Sequence, residues 1–293
     1  MINTMFNMIS KKSYDLKKYS WLLMDLIIFT GMFLFMTVHK APKVEVVTFQ
    51  KDATIKTVIF DLGGVFFKTS KRTKLSFLPL ILKNPNLLKF ELEKEFYTIL
   101  DTIPAVSTDT IYNKGQKMPL IMSDWMSGIK TPEEVKQLVD KAIEDSSYSS
   151  SQKKLFYKMS NLMFIPEKLA HSQKLISSML SIIKKLKEAG YQVCILSNWD
   201  EQSFTHVYNK HPKLFELCDK ICISGKEKLS KPNPKLFKKL LHSHNLNPAE
   251  CIFIDDESHN ITAAQKLGFK VIQHTNKCKT HKELINHGLC LKS

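Results

Sequence analysis

Three apolar runs of this sequence each end on a polar residue that is able to do chemistry. Asp61 ends the first run, Ser197 ends the second, and the pair Asp255-Asp256 ends the third. Runs of this length and composition are typical of buried strands in a parallel sheet. Because the carboxyl ends of parallel strands meet at one edge of the sheet, where open α/β proteins bind their ligands, we expect these side chains to lie close together.

Lys231, in the segment Lys-Pro-Asn-Pro, adds a cation to this set. A carboxylate such as Asp61 can attack a phosphorus atom and form a covalent intermediate. A phosphate dianion repels a carboxylate, so the step needs a cation between the two. Carboxylate oxygens are the ligands that Mg2+ prefers, and Asp61 and Asp255 could share one such ion with Asp256 as a direct or water-mediated ligand. The residue types therefore predict phosphoryl transfer with Mg2+.

The four motifs, in this order, resemble those of the haloacid dehalogenase-like hydrolase superfamily. The forms Asp-Leu-Gly-Gly-Val at residues 61–65 and Lys-Pro-Asn-Pro at residues 231–234 are most similar to its phosphatase-like branch with a helical cap, and the resemblance spans residues 55–275. It implies three catalytic residues, Asp61 as nucleophile, Ser197 and Lys231. It implies a phosphate site made by Ser197, the backbone of Asn198, and Lys231. It also implies a metal site made by Asp61, the carbonyl of Gly63, Asp255 and Asp256.

Gly63 departs from the pattern of most phosphatases that the sequence resembles. Those proteins carry a second Asp at this position, which serves as general acid and base. General acid catalysis is typically worth about 100- to 10,000-fold in rate, and glycine cannot supply it. A good leaving group, such as an anomeric or acyl phosphate, needs that acid less. Asp200 could bring another carboxylate near the site, although a helix cap is the simpler interpretation of this residue.

The leading hypothesis is a Mg2+-dependent phosphatase that acts on a small phosphorylated metabolite through an aspartyl-phosphate. One alternative is a catalytically weak, membrane-anchored member that binds a phosphorylated ligand or a protein partner. A second alternative is a dehalogenase, which also lacks the second Asp but does not need a metal. Trp125, Tyr112 and Phe96 could line a substrate pocket or belong to an apolar core. Neither the substrate nor the oligomeric state follows from the sequence.

The order of elements predicts an α/β fold with a Rossmann-like parallel sheet and right-handed crossovers. Strands are predicted at residues 56–62, 191–196, 219–223, 251–254 and 270–273, with a long amphipathic helix over 172–189. The resemblance implies the strand order 5-4-1-2-3. A helical stretch of about 100 residues separates the first two strands, so the predicted domains are a core at 55–72 and 171–293 and a helical cap at 73–170.

An apolar segment precedes the core. Residues 21–38 contain a single charge, at Asp25, and are just long enough to span a hydrocarbon layer of about 30 Å. They predict an N-terminal hydrophobic helix within residues 1–40 and a single-pass membrane location, with the side of the membrane unresolved. A cleaved signal peptide and a buried or surface helix remain alternatives.

Charge and cysteine content limit the other classes of function. The net charge is +15 at pH 7, but the lysines are spread along the chain and no nucleic-acid-binding motif accompanies them, which argues against nucleic acid as the partner. The six cysteines include no CxxC pair, and Cys194 and Cys251 fall within predicted strands. They are predicted to be reduced thiols rather than a disulfide framework or a zinc site.

Overall fold

The computed structural model describes residues 54–291. Its strands, in chain order, are Thr57–Phe60 (β1), Phe67–Thr69 (β2), Tyr112–Asn113 (β3), Gln116–Lys117 (β4), Gln173–Leu175 (β5), Gln192–Ser197 (β6), Lys220–Ile223 (β7), Cys251–Asp255 (β8) and Lys270–Gln273 (β9). Five of them form one parallel sheet in the order β7-β6-β1-β8-β9. This is the α/β core predicted from the sequence, with the predicted strand order.

The central strand β1 is buried on both of its faces. Val58 and Phe60 belong to the apolar cluster on one side of the sheet, and Ile59 belongs to the cluster on the other side. Side chains alternate between the two faces of a strand, so a strand covered on both sides needs a continuous apolar run. This explains why β1, β6 and β8 are recognisable in the sequence.

Helices cover both faces of the sheet and fill the segment between β2 and β5. They are Lys71–Leu75 (α1), Leu78–Lys83 (α2), Leu92–Asp101 (α3), Leu120–Met126 (α4), Pro132–Asp145 (α5), Ser150–Phe164 (α6), Pro166–Ser172 (α7), Ser177–Glu188 (α8), Glu201–Lys210 (α9), Pro212–Phe215 (α10), Ser224–Glu227 (α11), Pro234–Ser243 (α12), Ser258–Lys266 (α13) and Lys277–Asn286 (α14). Short 3-10 turns occupy Pro85–Lys89 and Pro248–Glu250.

Residues 70–172, which we call the insert, have an apolar cluster of their own. Phe96, Ile121 and Phe156 are nearly inaccessible to solvent within it. The insert leaves the core through β2 and returns through β5, and these two strands pair antiparallel. The predicted division into a core and a cap stays a prediction, but the helical content of this segment agrees with it.

Two details differ from the sequence-based expectation. The helix predicted over 172–189 begins at Ser177, because residues 173–175 pair with β2 instead of extending the helix. The insert also contains an antiparallel hairpin, β3–β4, in which Tyr112 pairs with Lys117 and Asn113 with Gln116. Strands of two residues are too short to produce a visible alternation of apolar and polar residues.

The predicted membrane location has to be corrected. No helix between residues 54 and 291 is long and apolar enough to cross a membrane. The apolar run at residues 21–38, on which the prediction depended, lies outside the described residues. We therefore withdraw the membrane location and the transmembrane helix.

Candidate active site

The ends of β1, β6 and β8 bring together three of the polar residues singled out in the sequence. Phe60, the last residue of β1, lies between Ile195 of β6 and Ile254 of β8. Asp61 follows directly, and its N–H donates to the Ile254 carbonyl at 2.9 Å. Ser197 is the last residue of β6, and Asp255 is the last residue of β8.

Lys231 lies at the centre of this edge and is only 1% exposed. Its Nζ is 2.8 Å from Oδ1 of Asp61 and 2.6 Å from Oδ2 of Asp255. Burial alone would lower the pKa of Lys231, but the two carboxylates outweigh it and hold that pKa above its usual value. The lysine is therefore charged, and it connects the ends of two neighbouring strands.

Asn198 fixes the backbone of Lys231. Its Oδ1 accepts the Lys231 N–H at 2.8 Å, and its Nδ2 donates to the Lys231 carbonyl at 2.8 Å. The side-chain amide is thus committed to holding the loop that carries the lysine. Any contact of Asn198 with a substrate would have to come from its backbone, as the resemblance implied.

Asp255 is saturated with hydrogen bonds. Its Oδ1 accepts from the Glu257 N–H at 2.8 Å and from Asn260 at 3.1 Å, while its Oδ2 accepts from Lys231 and from Asn260 at 3.0 Å. A carboxylate offers about four lone-pair positions, and all four have donors here. Asn260 thus helps to hold the loop that follows β8.

Asp256 is the carboxylate that the site leaves least compensated. One oxygen from each of Asp61, Asp255 and Asp256 lies within 4.8 Å of the others. Burial, followed by the charges of Asp255, Asp61 and Glu257, raises the pKa of Asp256 to about 8, against a smaller opposing effect of Lys231. Three carboxylates around one ammonium leave an excess of negative charge, which suits a divalent cation.

The pKa of Asp61 is raised less than that of Asp256. Burial raises its pKa to about 6; Lys231 opposes this rise, Asp255 adds to it, and hydrogen bonding from Ser197 lowers the pKa slightly. The carboxyl group is therefore mostly ionised at neutral pH. Its Oδ1 accepts a hydrogen bond from Lys231.

Gly63 and Gly64 differ in the space that surrounds them. Gly64 has φ +67°, and a Cβ added there would lie 1.9 Å from Oδ2 of Asp256, so only glycine fits. At Gly63 the nearest atom to an added Cβ is Oδ2 of Asp61, at 3.7 Å, which leaves room for a side chain. The Gly63 carbonyl accepts the Val65 N–H at 2.7 Å and keeps one lone pair for another partner.

Other residues considered in the sequence have structural roles. Asp200 caps helix α9, with Oδ1 accepting the Ser203 N–H at 2.9 Å. Trp125 and Phe96 are buried in the apolar cluster of the insert. All six cysteines are free thiols, with Cys194 and Cys251 buried in β6 and β8.

The sequence did not reveal the contacts that the insert makes beside the carboxylates. The Lys114 and Gly115 N–H groups donate to Glu257, and the Tyr112 ring stacks on His259. Asn-Lys-Gly at residues 113–115 is a recognisable turn signal, but the partner of a turn lies outside its own sequence.

Comparison with known protein families identifies the family of this chain. The model of the haloacid dehalogenase-like hydrolases matches residues 98–274, which is more than half of the chain. The chain therefore belongs to the haloacid dehalogenase-like hydrolases. Asp61 precedes the matched range, so its assignment depends on the geometry described above.

Among curated proteins, the chain is similar to both phosphatases and a dehalogenase. It is 30% identical over 106 residues to sesquiterpene phosphatase astK of Aspergillus oryzae, covering 36% of this chain and 54% of that protein. It is 34% identical over 71 residues to D-ribitol-5-phosphate phosphatase of Bacteroides thetaiotaomicron, covering 24% and 34%. It is 32% identical over 92 residues to (S)-2-haloacid dehalogenase 4A of Burkholderia cepacia, covering 31% and 39%. The chain thus matches about half or less of the length of these relatives.

Solved structures agree on the fold. A haloacid dehalogenase family enzyme from Bacteroides thetaiotaomicron superposes with a TM-score of 0.53 at 22% identity, covering 78% of this chain and 98% of that one. A hydrolase of the same family from Porphyromonas gingivalis gives 0.50 at 19% identity, covering 80% and 98%. The Bacteroides enzyme is also known as a magnesium complex, which superposes with a TM-score of 0.50 at 20% identity and covers 78% of this chain and 98% of that one.

Proposed function

We propose that this chain is a Mg2+-dependent phosphatase that hydrolyses a small phosphorylated metabolite through an aspartyl-phosphate on Asp61. The observation that carries the proposal is the buried Lys231 between Asp61 and Asp255, with a third carboxylate, Asp256, within 4.8 Å of both. Such a site retains negative charge even with its lysine and therefore favours a cation. With that cation bound, the site can accept an anionic substrate.

The metal site proposed from the sequence fits this geometry with one refinement. Asp61, Asp256 and the Gly63 carbonyl have oxygen atoms with remaining capacity and would hold Mg2+. Asp255 has no lone pair left and instead positions Lys231 and the loop that leads to Asp256. Mg2+, when bound, supplies the positive charge that allows a phosphate dianion to approach a carboxylate.

Asp61, Lys231 and Ser197 have different roles in the proposed reaction. An Asp61 oxygen attacks phosphorus, forming the Asp61 O–P bond while the bond between phosphorus and the leaving oxygen breaks. Lys231 stabilises the negative charge on Asp61 and on the phosphoryl group, and Ser197 donates a hydrogen bond at the same edge of the sheet. Water then attacks the aspartyl-phosphate, which releases phosphate and restores the Asp61 carboxylate.

Gly63 limits the range of substrates. No side chain at this position protonates the leaving group. We therefore expect the natural substrate to have a good leaving group, as an acyl or anomeric phosphate does. Two of the relatives are named as a sesquiterpene phosphatase and a D-ribitol-5-phosphate phosphatase. Neither relative's substrate is assigned to this chain, since the matched segments cover only part of each protein.

The test is the release of phosphate from an aryl phosphate by the purified full chain, with Mg2+ and after addition of a chelator. Activity that requires Mg2+ and is lost in Asp61→Asn supports the proposal. Asp145→Asn, which neutralises an exposed carboxylate at the end of α5, is the matched control and should keep full activity.

Two alternatives give different results in the same experiments. A dehalogenase would release halide from a 2-haloacid without metal; the similarity to the Burkholderia enzyme favours testing it, whereas the three clustered carboxylates argue against it. A catalytically weak member would bind inorganic phosphate with Mg2+ but turn over no ester. Gly63 is the feature that favours this second alternative.

A further inference from the structure

The tip of the β3–β4 hairpin forms a small anion-binding turn. Lys114 and Gly115 have φ values of 52° and 75°, and two successive residues with positive φ direct their N–H groups to the same side. Both N–H groups donate to the carboxylate of Glu257: Lys114 to Oε1, and Gly115 to Oε2 at 2.8 Å. One carboxylate therefore occupies the whole turn.

Two further contacts attach the same stretch of the insert to the active-site loops. The rings of Tyr112 and His259 lie parallel, with centroids 3.5 Å apart and an interplanar angle of 4°. Asp109 accepts a hydrogen bond from Asn233 at 2.7 Å. Asn233 lies two residues after Lys231, so residues 109–115 touch both the lysine loop and the acidic loop.

Glu257 contacts both the acidic loop and the hairpin. Its backbone N–H donates to Oδ1 of Asp255 at 2.8 Å, and its side chain holds the hairpin. It also follows directly after Asp256 in the chain. A change in the position of Asp255 or Asp256 must therefore move the residue that anchors the hairpin.

We propose that Glu257 is a positioning residue that couples docking of the hairpin to occupation of the carboxylate site by a cation. A cation bound by Asp256 fixes the loop that carries Glu257, which stabilises the hydrogen bonds of Glu257 to Lys114 and Gly115. By thermodynamic reciprocity, a docked hairpin raises the affinity of the site for the cation by the same factor. This inference depends on the proposed Mg2+ site, and its tests are chosen to separate the two.

Hydrogen exchange tests the coupling in one direction. The amides of Lys114 and Gly115 are measured in the full chain with a chelator and then with saturating Mg2+, without substrate. We expect protection of both amides to increase at least about fivefold, the lower range of typical coupling between sites. The amide of Ser146, which is bonded to the Ile143 carbonyl within the insert, is the internal control and should not change.

Mg2+ affinity tests the coupling in the other direction. Gly115→Val disfavours the turn because a β-branched residue is strained at φ 75°, and it leaves every charge in place. Gly190→Val is the matched control: φ is +85°, neither glycine has any atom within 4 Å of an added Cβ, and Gly190 lies outside the insert. We expect Gly115→Val to weaken Mg2+ binding at least about fivefold in calorimetry and Gly190→Val to leave it unchanged.

The outcomes separate coupling from simple charge effects. Glu257→Ala removes a carboxylate, so it weakens Mg2+ binding whether the cause is the lost charge or the lost coupling. Gly115→Val weakens Mg2+ binding only if docking of the hairpin is coupled to binding of the cation. Equal Mg2+ affinities in the two valine variants, with both folded, would overturn the proposal. So would unchanged exchange at Lys114 and Gly115 in a wild-type protein that binds Mg2+. A wild-type protein that binds no Mg2+ would overturn both the coupling and the proposed function.

Discussion

Lys231 and Asp61 form a buried ion pair in which Nζ and Oδ1 are 2.8 Å apart, although 170 residues separate them in the chain. The same ammonium group lies 2.6 Å from Asp255. An ion pair buried this deeply contributes little to stability by itself, because desolvation offsets the attraction. Its effect is to keep carboxylates together that would otherwise repel one another.

The first prediction concerns Lys231→Met. Removing one partner of a buried ion pair leaves the other charge uncompensated, which typically costs about 3–5 kcal/mol. We expect the free energy of unfolding of the variant to fall by this amount when a chelator is present. Mg2+ should restore part of that free energy. Urea unfolding with and without Mg2+ measures both.

Lys187→Met is the control for this experiment. Lys187 pairs with Asp219 at 2.6 Å, but both side chains are about one-third exposed. A pair of this kind is typically worth about 1 kcal/mol or less. Equal losses in the two variants, or the absence of any recovery with Mg2+ in Lys231→Met, would contradict the interpretation of the buried cluster.

The second prediction is that Asp256→Asn stabilises the protein in the absence of metal. The pKa of Asp256 is raised to about 8 in the folded chain, compared with the ordinary value of 3.8 for an aspartate. A raised carboxyl pKa destabilises the folded state increasingly as pH rises from about 4 to about 8, because the unfolded chain releases the proton first. The variant should therefore be more stable at pH 7 by about 1 kcal/mol or more, with the advantage vanishing near pH 4.

Denaturant unfolding of both proteins in chelator across this pH range measures the effect. Mg2+ should stabilise the wild-type protein, because a ligand that binds only the folded state raises its stability, and should not stabilise Asp256→Asn. A variant that still gains stability from Mg2+ would exclude Asp256 as a ligand.

The parts of the site that were predictable are those encoded within one segment. Asp61, Ser197 and Asp255 end apolar runs, and a strand buried on both faces produces such a run whatever surrounds it. The strand order was expected from the resemblance to a known family. Asn198 was recognised as a backbone contact, but not as the side chain that holds Lys231, because that pairing joins residues 33 positions apart.

The parts that were not predictable depend on contacts between distant segments. Leu175 continues the apolar spacing of α8, yet residues 173–175 pair with β2, so tertiary contacts override the local preference. Glu257 and His259 follow the acidic motif without any signal of their own, and their roles arise from the hairpin that meets them. The difference between Asp255 and Asp256 likewise depends on which one Lys231 and Asn260 contact.

The third prediction compares alanine at the two glycines after Asp61. At Gly64 an added Cβ would lie 1.9 Å from Oδ2 of Asp256 and would require φ +67° of an alanine. Gly64→Ala should therefore displace Asp256 and weaken Mg2+ binding at least about tenfold, roughly 1.4 kcal/mol. Gly63→Ala has no such clash and should bind Mg2+ like the wild type. Calorimetry measures the Mg2+ affinity of both variants. Equal affinities would show that a Cβ at position 64 does not displace Asp256.

The fourth prediction uses the space at Gly63. An added Cβ would meet nothing closer than Oδ2 of Asp61, at 3.7 Å, so an aspartate fits beside the nucleophile. The neighbouring carboxylates would raise the pKa of the new side chain, which keeps it protonated and able to donate to a leaving group. Gly63→Asp should therefore accelerate hydrolysis of alkyl phosphates by about 100-fold or more, and that of aryl or acyl phosphates much less.

Gly63→Asn is the matched control, because it has the same shape and no acidic proton. Turnover of one alkyl and one aryl phosphate is compared in the wild type and both variants at saturating Mg2+. A gain in Gly63→Asp that increases with the pKa of the leaving alcohol, and is absent in Gly63→Asn, identifies position 63 as a missing general acid. If both variants fold, bind Mg2+ and show no dependence on the leaving group, protonation does not limit the reaction. In that case position 63 is not a missing general acid, and the wild-type chain should also be tested as a binding protein with inorganic phosphate and Mg2+.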